Sequence, residues 1–100
     1  MPKLKVKVRF FTSLREIVDT REETLVFPDD KRVTVDIVLE ALSEKYGAPF
    51  TQYVFNGETG HPKAFLQLLV NGASTQTLSG LQTQLRDGDV LAILPPVGGG

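Results

Sequence analysis

Residues 35–46 hold the one long helical pattern in this 100-residue chain. Val35, Val38, Leu39, Leu42 and Tyr46 recur with a helical period and form a single apolar stripe. Asp36, Glu40, Ser43 and Glu44 fall mostly on the other faces. Thr34 suits the N-cap, Asp36 places negative charge in the first turn, and Gly47 supplies the stop. Pro49 is expected to prevent the helix from resuming. A lone helix with one apolar stripe must bury it against something, and strand patterns surround this one. The expected solution is a two-layer α+β domain in which the main helix crosses one face of a sheet.

The strand patterns are distinct. Leu4, Val6, Val8 and Phe10 alternate with Lys3, Lys5, Lys7 and Arg9, the period of a strand with one buried and one wet face. Thr12 is placed to cap a short helix carrying Leu14, Ile17 and Val18. Residues 22–27 read as a second strand stopped by Pro28 and the polar cluster Asp29-Asp30-Lys31-Arg32. Residues 50–63 read as a connecting loop whose apolar first half, Phe50, Tyr53, Val54 and Phe55, packs back on the domain. A third strand is expected over about 64–70, closed by Asn71-Gly72. Leu78 and residues 81–85 suggest a tight helical turn, and Val90 to Leu94 a last strand. Residues 95–100, PPVGGG, complete the chain. The expected organisation is one domain over 1–94 and a projecting tail over 95–100.

Composition narrows the function classes. A hydrophobic content of 41% in one hundred residues suits a single core and leaves little room for a deep catalytic cleft. The formal net charge of -1 lacks the basic excess of most nucleic-acid-binding modules, so no direct nucleic-acid binding is expected. No cysteine is present, which excludes disulfides, thiolate metal sites and cysteine nucleophiles. The alternating N-terminus is unlike a signal peptide, and no apolar run reaches the roughly 18–20 residues of a membrane span. A soluble, cytoplasmic protein is expected, with no membrane partner.

Residues 86–100, RDGDVLAILPPVGGG, carry the strongest motif. They resemble the C-terminus of the MoaD/ThiS sulfur carriers and the small archaeal modifier proteins. There, a D-G-D turn and a hydrophobic strand precede P-P-V or P-A-V, a small residue and a terminal Gly-Gly. Asp87, Gly88 and Asp89 match the turn, Pro95, Pro96 and Val97 the exit, and Gly99 and Gly100 the diglycine. Gly98 stands where relatives more often carry Ala or Ser. FFTSLREIV (10–18), TVDIVLEALSEKYG (34–47) and LQLLVNG (66–72) are similar to the family's early helix, main helix and third strand, in the expected order. The resemblance implies a ubiquitin-like β-grasp fold: a mixed sheet, one main helix across one face, and a flexible C-terminal tail.

It also implies a chemistry. The carboxylate of Gly100 would be adenylated by a ubiquitin-activating-type (MoeB/ThiF-like) adenylyltransferase and converted to a thiocarboxylate. Sulfur would then pass to a molybdopterin precursor, a tRNA or a metabolite, through an acceptor such as a MoaE-like subunit. The alternative is a modifier joined through Gly100 to target lysines. In neither case is the chain itself an enzyme, except as the small subunit of a sulfurtransferase such as molybdopterin synthase. ATP is used by the activating partner, and no cofactor is expected on this chain.

The tail suits that task. Gly99 and Gly100 lack a Cβ, so they can thread a narrow channel to a buried ATP site, and Gly98 bears on this much less. Residues 95–100 span roughly 20 Å when extended. Pro95 and Pro96 cannot extend a strand ladder and favour a stiff exit. On its own, a glycine run is also what a frayed end looks like.

Other constellations are weaker. Lys3, Lys5, Lys7 and Arg9 read as a solvated strand face, as charge that guards a sheet edge, or as a binding patch. His61 has no cysteine or second histidine beside it, so no metal site is expected. Asp29-Asp30 and Asp87-Asp89 are turn formers before they are acid–base pairs. The last strand is apolar at both parities. By similarity to ubiquitin, Leu91 and Ile93 point inward and Leu94 outward, where Leu69 or Phe65 could extend a partner interface. Alternatively, the 50–63 segment covers that second row.

Overall fold

In the computed structural model, which describes residues 3–28, 30–63 and 65–94, the alternation of residues 3–10 becomes β1 (Lys3–Phe10). All four of its apolar side chains are buried and all four cations are exposed. β2 (Glu22–Pro28) pairs antiparallel with β1, from Lys3 opposite Pro28 to Arg9 opposite Glu22. β5 (Val90–Leu94) lies on the other side of β1 and runs parallel to it, with Lys7 opposite Val90 and Phe10 opposite Ile93. β3 (Gln67–Val70) pairs antiparallel with β5, and β4 (Ala73–Ser74) closes the far edge. The five-stranded mixed sheet has the order β2-β1-β5-β3-β4.

Helices cover one face. α1 (Thr12–Val18) buries Leu14 and Val18, and α2 (Val35–Tyr46) buries Val35, Val38, Leu39 and Leu42. These meet Val6, Val8, Phe10, Leu91 and Ile93 from the sheet in one core. Tyr46 joins the core's edge, its ring lying edge-on to Phe10 with centroids 6.0 Å apart. On its other side the Tyr46 hydroxyl donates to Glu23 Oε1 at 3.1 Å, and Lys45 also bonds that carboxylate. This cluster ties β2 to the C-terminal end of α2.

α2 begins and ends where its residues predict. Thr34 Oγ1 accepts from Ile37 N at 3.4 Å, and Gly47 at φ 78 takes a left-handed conformation that favours glycine. Pro49 does not keep the chain out of a helix. α3 (Ala48–Val54) starts directly after Gly47, with Pro49 in its first turn, where the missing N–H has no intrahelical role to lose. The expected 50–63 loop is therefore helical as far as Val54, and it buries Phe50 and Val54 fully.

Three further expectations shift. Thr12 is not a cap but the first residue of α1, with Phe11 at the N-cap position and no side-chain hydrogen bond there. β3 begins at Gln67, since Phe65 lies in a turn. β4 had no sequence pattern of its own. It exists because Asn71 (φ 51) and Gly72 (φ 87) both take positive φ, the requirement of the type I′ turn that folds a strand back on its neighbour. The Leu78 and 81–85 region holds two short 3-10 turns, Thr75–Thr77 and Gly80–Gln82.

Candidate functional site: the last strand and the open face

The D-G-D turn sets where β5 starts. Asp87 Oδ1 accepts from the Lys5 backbone N at 2.8 Å, and Gly88 N donates back to the Lys5 carbonyl at 2.8 Å. Gly88 sits at φ 90, which favours glycine. Asp89 Oδ2 accepts from Arg86 N at 2.8 Å. These acids are turn formers, as their spacing predicts, and they sew the start of β5 to β1.

β5 then runs with a paired neighbour on each side. Its last residue, Leu94, lies opposite Gln67 of β3, and Ile93 lies between Phe10 of β1 and Leu68 of β3. Whatever follows Leu94 departs from a strand held on both edges. The residues expected to carry the chemistry, Gly100, Gly99 and Gly98, and those of the exit, Pro95, Pro96 and Val97, lie outside the described residues.

The two apolar rows of β5 are resolved by its register. Leu91 and Ile93 are fully buried, while Val90, Ala92 and Leu94 are half-buried on the face away from the helices. Leu69 lies opposite Ala92 and shares that face. The 50–63 segment does not cover this row, because α3 packs against α1 and α2 on the opposite side. Leu94 and Leu69 thus lie on the same face of neighbouring strands, two positions apart in register. Phe65, 47% exposed, stands in the turn before β3, with the Lys63 ammonium 5.8 Å from its ring. It lines a groove of about 490 Å³ together with Leu66, Leu68 and Leu81, at the sheet's edge rather than on the row itself.

Two residues of this face have no sequence-based expectation attached. Val26 of β2 is 49% exposed and stands opposite Lys5. Phe11 continues the extended backbone of β1 (φ -129, ψ 149) and lies on the side of Arg9, whose guanidinium carbon is 5.5 Å from the Phe11 ring. The Phe10-Phe11 doublet is the available signal: adjacent aromatics on a strand must point to opposite faces.

Among the described residues, no three His, Asp or Glu side chains converge as a metal site. His61 is exposed in its turn, where its backbone N donates to Thr59 Oγ1 at 3.2 Å. No helix among the described residues is long and apolar enough to cross a membrane.

A five-stranded mixed sheet with one principal helix across it, and a C-terminal strand held at its centre, defines a ubiquitin-like β-grasp protein. The ThiS family matches residues 8–100. The chain belongs to that family. It is 32% identical over 97 residues to small archaeal modifier protein 3 of Haloferax volcanii, covering 97% of this chain and 100% of that protein. It is 31% identical over 72 residues to a candidate sulfur carrier protein of Archaeoglobus fulgidus, covering 72% of this chain and 80% of the other. The solution structure of small archaeal modifier protein 1 from Methanosarcina acetivorans superposes with a TM-score of 0.80 at 34% identity, over 100% of both chains. Its relatives are thus small modifiers and sulfur carriers rather than catalysts.

Proposed function

We propose that this chain is a sulfur carrier acting through the carboxylate of Gly100. The observation that carries the reading is the placement of β5. A terminal segment reading PPVGGG follows directly from a strand locked between β1 and β3. A fixed root and a thin end are what a partner needs to draw a carboxylate into an enclosed ATP site, because anchoring the root limits the entropy lost on docking.

A carboxylate is a poor electrophile. In the proposed sequence an oxygen of Gly100 attacks the α-phosphorus of ATP on a ubiquitin-activating-type adenylyltransferase, and pyrophosphate leaves. Sulfide from a donor then attacks the acyl carbon and expels AMP, leaving a thiocarboxylate. Leu94 and Leu69 contact the partner beside the tail root, with Phe65 at the margin. The recipient of the sulfur is a cofactor precursor, a tRNA or a metabolite. With an acceptor such as a MoaE-like subunit, the chain would serve as the small subunit of a sulfurtransferase.

A second reading has its own support in the match to a small archaeal modifier protein along nearly the whole chain. There a lysine amine attacks the same acyl-adenylate, AMP leaves, and an isopeptide bond forms. Intact-protein mass spectrometry after incubation with ATP, the activating enzyme of the same cells and a sulfur donor tests the carrier reading. Replacement of one oxygen by sulfur at the C-terminus is the expected product. Gly-Gly remnants on cellular lysines without any thiocarboxylate would establish the modifier instead.

A further inference from the structure

The two edges of the sheet differ. β4 is a strand of two residues, a length that offers little to pair with. β2 is seven residues long, and β1 is its one strand neighbour among the described residues. The cations of β1 stand on an interior strand and do not guard that edge. Most devices that blunt an edge are missing from β2. Its one-to-one register, from Pro28 opposite Lys3 to Glu22 opposite Arg9, contains no bulge. It carries no lysine, and its proline is its last residue.

The register also fixes which backbone groups face outward. Phe10 N donates to the Arg21 carbonyl at 2.9 Å, one step beyond the pairing of Arg9 with Glu22. Hydrogen-bonded pairs alternate along an antiparallel ladder, so Glu23, Leu25 and Phe27 turn their N–H and C=O towards β1. Glu22, Thr24 and Val26 turn theirs away, and Pro28 adds a carbonyl with no N–H. The Glu22 carbonyl accepts from the Thr20 hydroxyl at 3.1 Å, and the Thr24 N–H is drawn to the Glu23 carboxylate. Leu25 and Phe27 lie half-buried against the core on the helix side.

We propose that β2 pairs antiparallel with β2 of a second copy of this chain, about a two-fold axis at Leu25. The strand is its own complement in this register. Thr24 faces Val26 of the second copy and exchanges both backbone bonds with it, twice by symmetry, and the Glu22 N–H meets the Pro28 carbonyl. The N–H that Pro28 lacks falls opposite the Glu22 carbonyl, which Thr20 already satisfies. With the axis at Thr24 instead, the Val26 N–H competes with Thr20 for that carbonyl, and Glu23 faces Leu25. Pairing about Leu25 exchanges the Thr24 contact with Glu23 for a ladder bond and brings the two Leu25 side chains together. The two Glu22 residues stay roughly 20 Å apart. A net charge of -1 per chain leaves little repulsion between copies.

The contact is one strand wide, below the roughly 1,200 Å² of stable interfaces, so the dimer is weak, with a dissociation constant on the order of 0.1 mM. β5 runs parallel to β1 and hence antiparallel to β2, and the two-fold reverses it in the second copy. The two last strands therefore point to opposite ends of the joined sheet, and each Leu94 end stays clear of the other copy.

Sedimentation equilibrium of the full-length chain from about 0.02 mM to about 1 mM, a range that brackets this constant, tests the pairing. The average mass is expected to rise from near the 11.0 kDa of one chain towards twice that value. Thr24→Glu/Val26→Glu sets acids opposite Lys7 and Lys5 within the chain, but opposite each other across the dimer. It is expected to keep its urea midpoint and to remain a monomer at about 1 mM. The chain has no cysteine, so single cysteines report the register. Leu25→Cys meets its symmetry mate at a Cα separation of about 4.5 Å and is expected to cross-link on mild oxidation, with Thr24→Cys roughly tenfold slower. A wild type that stays monomeric at the highest concentration overturns the proposal, as does a double variant that dimerises like wild type. Faster cross-linking of Thr24→Cys than of Leu25→Cys overturns the Leu25 axis. None of these variants touches the C-terminus, so the outcome is independent of the carrier reading.

Discussion

Asn71 and Asp89 join the two turns that frame the start of β5. The Asn71 side-chain amide donates to Asp89 Oδ1 at 3.0 Å, and Asn71 Oδ1 accepts from Val90 N at 3.0 Å. The Asn71 backbone N also donates to the Val90 carbonyl at 2.9 Å. The hairpin turn of β3–β4 is thereby fastened to the D-G-D turn, and the register of β5 between its neighbours is fixed from that end.

Asp89→Ala removes an acceptor used by both Asn71 and Arg86. Because the site is exposed, a loss of about 1–2 kcal/mol in unfolding free energy is expected from urea melts. Asn71→Ala loses the bridge and also places a Cβ-bearing residue without a local polar partner at φ 51, so its loss is larger. Asn71→Gly relieves the backbone term and falls between Asn71→Ala and wild type. All of these sit at the far end of β5 from the tail, so the KM for adenylation of the folded chain should not move.

The parity of β5 separates stability from recognition. Leu91 is fully buried, and Leu91→Ala should cost about 2–5 kcal/mol in chemical denaturation. Leu94 is half-buried on the open face, and Leu94→Ala should cost about 1 kcal/mol or less. Adenylation kinetics should reverse that ranking: folded Leu91→Ala keeps its KM, and Leu94→Ala raises it.

Under the proposed function, Gly100→Phe should leave the urea midpoint unchanged and abolish adenylation, because its side chain would block the channel that this reading assigns to the partner. Gly99→Phe should behave almost the same way, and Gly98→Ala should be tolerated. Adenylation retained by Gly100→Phe would refute the proposed function.

Glu23, Lys45 and Tyr46 give stability an acid and an alkaline limit. The hydrogen bond from Lys45, helped by that from Tyr46, holds the Glu23 carboxyl below its ordinary value, against the opposing effect of burial. A depressed acid stabilises the fold above its unfolded pKa, and that contribution disappears as pH falls through the folded value. Burial, and then the Glu23 hydrogen bond, push the Tyr46 phenol up to about 12. Its contribution is full below the unfolded value of about 10 and is lost as pH rises towards the folded one. Urea melts across pH should show both losses in wild type. Glu23→Gln should remove the acid one, and Tyr46→Phe the alkaline one.

Much of this fold is legible in local pattern. The alternation of Leu4 to Phe10 and the stripe from Val35 to Leu42 each specify a buried face without reference to anything distant, and both are buried as their period predicts. Pro49 misleads because a proline that ends one helix is equally suited to begin the next, and only the burial of Phe50 and Val54 against α1 and α2 selects α3. β4 is invisible for a related reason. A strand of two residues carries no period and exists only because the Asn71-Gly72 turn returns the chain to β3.

The sequence by itself carried the proposal for the working end. The glycine terminus, its proline exit and the D-G-D turn are contiguous, so their order is their meaning. Tertiary structure decided what surrounds that end. Both parities of β5 are apolar, and local chemistry does not choose between them. Pairing with β1 and β3 buries Leu91 and Ile93 and leaves Val90, Ala92 and Leu94 on the open side. The same pairing makes β1 an interior strand, so its cations line a face instead of guarding an edge. Burial and strand neighbourhood depend on residues more than eighty positions apart, such as Lys5 and Asp87, and no local pattern encodes them.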